Sequence, residues 1–355
     1  MEKEKKYYKL YKLIKSRILS GEYKSGEKLP SKRTMADMTS VSTITVESAY
    51  SRLADEGYIY SKERSGYFVS EIDAVQTKEY TQGRALDFLD EDCETPSRDF
   101  EYSVWFKTVR KVMSERGEKL FVKSPSKGCS VLRNAIAHYL YRYRGMYAQP
   151  RQIIIGSGSE QLYDSIVRIL GRDKIYAIED PSYAQIETVY SGMGINIEKL
   201  KMGKEGIESE ALKKSHADIL HVTPFHSYPS GVTASAKKRY EYLKWADAGN
   251  RYIVEDDFDS EFFIPGHPID SLYLLDNNGS VIYINTFSKS LSPSMRMGYM
   301  VLPEKLLDIY DKKMGMYSCT VPVIDQYVLA EFISSGNFER HLNTVRRKMK
   351  NDKKI

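Results

Sequence analysis

The chain has 355 residues, enough for one large and one small domain, and its 41% apolar content suits a protein that buries a real core. No stretch nears the ~20 apolar residues of a membrane span, the charged start lacks a signal-peptide core, and Cys93, Cys129 and Cys319 stand far apart, which excludes a span, a disulfide framework and a zinc site and makes the cytoplasm the expected compartment. The net charge of +5 is uneven: residues 1–70 hold 14 Lys/Arg against 9 Asp/Glu, residues 341–355 hold 6 against 1, and the stretch between carries −5, so the basic head is either a polyanion-binding surface or a solvated face.

Leu10, Leu13, Ile14 and Ile18 recur at helical spacing and predict a helix over 8–20 that Gly21 stops. Ser31, after Pro30, is a good N-cap for a short helix reaching about Met38. A turn, TSVS, leads to a third helix that starts near Thr43 with Ser42 as its cap and ends at Gly57. Val46, Ala49, Tyr50 and Leu53 form its buried stripe, which leaves Ile44, Thr45, Ser48, Ser51 and Arg52 facing outward. YIYSKERSGYFVS then reads as two short strands around a turn at 62–66. Three helices and a hairpin within residues 1–70 make a winged helix-turn-helix, whose third helix enters a major groove of a double-stranded DNA operator. In that reading Lys32, Arg33, Lys62 and Arg64 neutralise phosphates, and Thr43, Ile44, Thr45, Ser48 and Arg52 lie toward the bases.

The run LPSKRTMADMTSVSTITVESAYSRLADEGYIYSKERSGYFV resembles the DNA-binding domain of the GntR family almost end to end. It departs from that family at Thr43 and Ile44, where Arg-Asn is common. A guanine-reading arginine is then missing, and Ile44 either touches a thymine methyl or is a poorly covered apolar residue.

Residues 71–85 lack apolar periodicity and read as a tether. From 86 to 345 strand-like and helix-like segments alternate. Strands are expected at 152–156, 174–180, 218–224, 251–257 and 281–287, giving an α/β fold with a mostly parallel, doubly wound sheet. Ligands bind such sheets beyond the carboxyl ends of the strands. Conspicuous polar residues lie at those ends. Ser157, Gly158 and Ser159 suit a phosphate at a helix N-terminus, although many such junctions are Gly/Ser-rich. Asp256 is either a site carboxylate or an ordinary cap. Lys289, with Thr286, Ser288 and Arg296, is either a surface lysine or an amine beside an anion site. In this order the three groups are the parts that hold pyridoxal 5'-phosphate.

Residues 86–345 resemble the fold-type-I aminotransferases, specifically the aminotransferase-like body of MocR/GabR-type regulators. The pieces that carry the likeness are SGSEQ, EDPSY, VTPFHSYPSGVT, EDDFDSEF and TFSKSLSPSMRMGY. The resemblance implies Lys289 as the Schiff-base lysine and Asp256 as partner of the pyridine nitrogen. It implies Tyr183 stacked on the ring, and Ser159, Ser288 and Arg296 near the phosphate. Phe258 stands where the family has Tyr, and Glu160 where Gln is common. The chain stops at Ile355, where the family continues for roughly a hundred residues of small lobe, and 346–355 reads as a frayed basic tail. The expected function is a homodimeric regulator that senses the cofactor or a small amine or amino acid. The alternatives are an aminotransferase carrying a DNA head and a cofactor-free DNA-binding remnant.

Overall fold

The computed structural model describes residues 6–62, 65–71, 100–262 and 270–352. The chain divides into two compact units, Met1–Cys93 and Glu94–Ile355. The expected tether lies outside the described residues except for Glu71, as do Arg64 and Cys93.

In the first unit α1 (Lys6–Leu19), α2 (Lys32–Thr39) and α3 (Thr43–Asp55) precede an antiparallel hairpin of β1 (Ile59–Lys62) and β2 (Gly66–Val69). Local chemistry places each boundary. The Ser31 hydroxyl accepts the Thr34 amide and the Ser42 hydroxyl accepts the Thr45 amide, so both helices begin where the serines predict. Gly57, at φ +78°, turns the chain out of α3 while its amide bonds the Ala54 carbonyl. Val46, Ala49, Tyr50 and Leu53 are wholly buried, as the stripe requires. On α1 the expectation fails at one residue: Leu13 is exposed and Tyr11 is buried in the core. The Tyr11 ring covers apolar surface while its hydroxyl reaches the Glu56 carboxylate, which a leucine cannot do.

The second unit is built on an eight-stranded sheet. Its strands are β3 (Ile153–Gly156), β4 (Ile175–Asp180), β5 (Asn196–Gly203), β6 (Gly206–Ile207), β7 (Ile219–Val222), β8 (Tyr252–Asp256), β9 (Val281–Thr286) and β10 (Gly298–Val301). They lie in the order β3-β10-β9-β8-β7-β4-β5-β6. The pairs β9-β8, β8-β7, β7-β4 and β4-β5 are parallel, whereas β10 is antiparallel to both neighbours and β6 is antiparallel to β5. All five expected strands are present, and β5, β6 and β10 are additions. Residues of β3, β7, β9 and β10 are buried throughout, the mark of a sheet covered on both faces. One covering layer packs Leu132, Ile136 and Leu140 with Leu329 and Phe332 against Ile153 and Ile155. The other packs Leu162, Ile166 and Tyr190 against Ile154, Ile178 and Ile284.

The helix Asn337–Asp352 does not end at 345. It runs past that point, and the Arg346 Nε donates to the Glu261 carbonyl at 2.5 Å, which ties the expected tail to the large unit. Among the described residues no helix is long and apolar enough to cross a membrane, and no cluster of metal-ligating side chains occurs. Cys129 and Cys319 are free thiols, and burial pushes both upward from the usual thiol range, which favours the protonated form.

Candidate functional site

Because β10 is antiparallel to both β3 and β9, the strands β3, β9, β8, β7 and β4 run the same way. Their carboxyl ends share one edge of the sheet, and a cleft of about 310 Å³ opens there. Ser159, Tyr183, Asp256, Thr286, Ser288, Lys289 and Arg296 line it, so the topology brings together residues spread over 138 positions of sequence.

The floor of the cleft is Asp256, the last residue of β8 and 4% exposed. Its Oδ2 accepts the hydroxyl of Tyr163. Burial and the carboxylate itself hold that phenol far above its ordinary range, so it stays a donor. His221 Nε2 stands 3.7 Å from the same oxygen, and His221 Nδ1 shares a 2.7 Å hydrogen bond with the Tyr190 hydroxyl. The other oxygen, Oδ1, is buried without a hydrogen-bond partner. A buried carboxylate oxygen with no donor is costly, and it marks a place where a ligand's N–H fits.

One wall is the junction of β3 with α4 (Ser159–Leu170). Gly158 caps that helix at φ +102°, where a side chain would be strained, and a Cβ there would meet Arg296 Nη2 at 3.1 Å. The glycine thus lets the Arg296 guanidinium reach the free amides at the start of α4, a cradle for an anion. Ser159 faces the cleft, but Ser157 does not line it and instead accepts a hydrogen bond from Thr320 at 3.0 Å. Glu160 is exposed at the rim, yet its carboxylate still lies 3.8 Å from Arg296, where it competes with any bound anion.

Lys289 follows β9 in a one-turn helix, Phe287–Ser290, and its Nζ is 2.6 Å from Asp259 Oδ1. Phe258 lines the cleft with its ring 4.9 Å from that nitrogen, and it has no hydroxyl to offer a ligand. Tyr183, next to the helix Ala184–Gly192, packs edge-on against Tyr228 at 6.1 Å. Sequence reasoning missed Tyr163, Thr223 and Tyr228 as lining residues. Tyr163 was detectable, since it lies one helical turn after Ser159 on the same face of α4. Tyr228 sits in a loop whose path no local pattern reveals.

In the first unit Thr43, Ile44 and Ser48 are exposed along the outer side of α3, and Ile44 is 73% exposed. The Ser48 hydroxyl donates to the Ile44 carbonyl at 3.0 Å, while that of Thr45, half-buried, pairs with Ser42 at 2.8 Å. Arg33 is exposed and has no ion-pair partner among the described residues. Lys32 pairs with Glu47, and Lys62 lies 5.0 Å from the Phe68 ring. Arg52 bonds Glu56 at 3.1 Å and stacks on Tyr8 and Tyr11 at 5.0 and 4.8 Å, which braces α1 against α3 while its side chain remains 43% exposed.

The description "Bacterial regulatory proteins, gntR family" matches residues 6–69. Over 353 residues the chain is 35% identical to the uncharacterized HTH-type transcriptional regulator YdeL of Bacillus subtilis, covering 96% of this chain and 76% of that one. It is 30% identical over 362 residues to the probable rhizopine catabolism regulatory protein MocR of Rhizobium meliloti, covering 95% and 73%. Among solved structures, a kynurenine aminotransferase from Pyrococcus horikoshii in complex with PMP aligns with a TM-score of 0.64 at 26% identity. That alignment covers 70% of this chain and 64% of the aminotransferase, so the chain spans slightly under two thirds of its length.

Proposed function

The chain belongs to the MocR-type HTH transcriptional regulators, with a GntR-family DNA-binding head and an aminotransferase-like body, and from that premise we propose that the body binds pyridoxal 5'-phosphate and reports it, or a small amine or amino acid, to the head. The observation that carries this reading is the unpartnered Oδ1 of Asp256 at the floor of the cleft. It suits a protonated ring nitrogen, a donor that the protein itself does not provide. Arg296, Ser159, Thr286 and Ser288, with the amides beside Gly158, would hold the phosphate. Tyr183 would cover the ring, and Lys289 would take the aldehyde. When bound, the group supplies a carbonyl that condenses reversibly with amines. Two heads on paired half-sites need a dimer. Phe106, Phe121 and Val122, which are 54%, 77% and 58% exposed, supply apolar surface for a second copy. Work beside DNA places the protein in the cytoplasm.

Titration of the purified protein with pyridoxal phosphate tests the reading. A visible absorbance band should appear, borohydride should abolish it, and peptide mass analysis should find the reduced adduct on Lys289. Lys289→Ala should give neither band nor adduct. A flat spectrum at saturating cofactor overturns the proposal. It would favour a cofactor-free regulator, the reading that Glu160 beside Arg296 and the missing hydroxyl at Phe258 support.

A further inference from the structure

Lys289 is not a free amine at the rim of the cleft. Its Nζ is 2.6 Å from one oxygen of Asp259, and the other oxygen of that carboxylate is 3.1 Å from His226 Nδ1. The shared carboxylate is sheltered, its side chain 15% exposed, while the lysine and histidine side chains are 47% and 50% exposed. Both ends of the arrangement are anchored. The Asp259 carbonyl accepts the Phe262 amide at 3.1 Å, and the neighbouring Ser260 hydroxyl is bonded by the buried Arg144. On the other side the His226 ring stacks on Phe225 with 4.1 Å between centroids. The His226 backbone is at φ +50°, which residues with side chains rarely adopt unless their surroundings hold them there.

An ammonium has no lone pair to offer a carbonyl carbon, so before Lys289 can condense with anything it must leave the Asp259 carboxylate, 2.6 Å away, and give up a proton to solvent water. When it parts, Asp259 still has His226 and is not left as a stranded charge. We propose that Asp259 is a latch on Lys289, one that sets which aldehydes the cleft accepts. A simple aldehyde has nothing with which to offset the broken ion pair. An aldehyde that also carries an anionic group gains the Arg296 side of the cleft and a ring stacked on Tyr183, and so draws the lysine off its partner. The inference rests on Lys289 being the carbonyl-binding residue, and it names Asp259 as the residue that tunes it.

The latch is testable without cofactor. The full chain is treated with limiting acetic anhydride, and peptide mass analysis gives acetylation of Lys289 relative to Lys244. The latter is exposed and has no ion-pair partner among the described residues. Asp259→Asn should raise that ratio about three- to five-fold, the scale of a partly exposed ion pair. In the wild type the ratio should also rise as salt goes from about 0.05 M to about 1 M, where the screening length falls to ~3 Å. An unchanged ratio in a variant whose far-ultraviolet circular dichroism matches the wild type overturns the latch. If the variant does not fold, a flat salt series on the wild type overturns it instead. Failure of the cofactor reading is separate, because it shows as a flat visible spectrum in the wild type whatever the labelling result.

Discussion

At the level of single residues, the two units use exposure in opposite ways. Asp256 matters because it is buried with one oxygen unanswered, whereas Ile44 and Arg33 matter because both are exposed among the described residues. These two head residues should have separable effects on DNA binding. Arg33→Ala removes a cation that releases counterions from phosphates, so affinity should fall on every sequence and the salt dependence should become shallower by about one counterion. Ile44→Ala removes an apolar contact at the first turn of α3 and should change preference among sequences, by about 1 kcal/mol at the base it faces, the scale of one or two buried methylene groups. Binding curves on an operator and on scrambled DNA at several salt concentrations distinguish them. Equal losses on both DNAs for Ile44→Ala would remove it from base readout. The positions of these residues were legible because helix periodicity assigns each a face. The fate of Arg52 was not, because only packing brings Tyr8, Tyr11 and Glu56 around it.

At the level of elements, the large unit is held by carboxyl groups that tie one segment to another. Glu179 on β4 accepts the Ser227 hydroxyl at 2.6 Å and so fastens the loop that carries Tyr228. Glu255 on β8 accepts the amides of Leu272 and Tyr273 at 2.7 and 2.9 Å. Glu261 accepts the Asn285 side chain at 3.1 Å, next to β9 residues buried with it. Burial pushes each of these acids up to about 8. In the unfolded chain a glutamate titrates near ~4.3. Between that value and about 8 the folded state therefore holds more protons than the unfolded one, and stability falls as pH rises through this window. The thermal midpoint should be highest near the acid end of the window and drop by several degrees toward pH 8, since 1 kcal/mol is worth roughly 2–4 °C in a unit of this size. Glu179→Gln keeps a hydrogen-bonding side chain without the ionisation and should flatten the profile. A midpoint that rises across the window would show that the carboxyls are ionised as folded. None of these ties was visible in the sequence, where EDPSY and EDDFDSEF are simply acidic strand ends. The strands were visible, being apolar runs of strand length. β10 was not, because GYMV begins within the end of the motif that contains Lys289, and its antiparallel direction depends on which neighbours it finds.

At the level of the whole molecule, the proposed regulation by paired heads predicts a dimer. Light scattering on the purified protein should give twice the mass of the 40.9 kDa chain. A clean monomer removes the paired-head arrangement. Some features were already determined by the amino-acid sequence: the two-unit composition, the caps and buried stripe of the winged head, the alternation of strands and helices, and the identity of Asp256, Lys289 and Arg296 as the polar residues at strand ends. All of these rest on interactions between residues a few positions apart, which a linear pattern records. Only the tertiary structure decided what those residues touch. It left Asp256 Oδ1 without a donor, set Glu160 against Arg296, turned Ser157 toward Thr320 and joined Lys289 to Asp259. Such contacts depend on distances across the sheet between segments far apart in the chain, and charge and burial at a point in space have no signature in the order of residues alone.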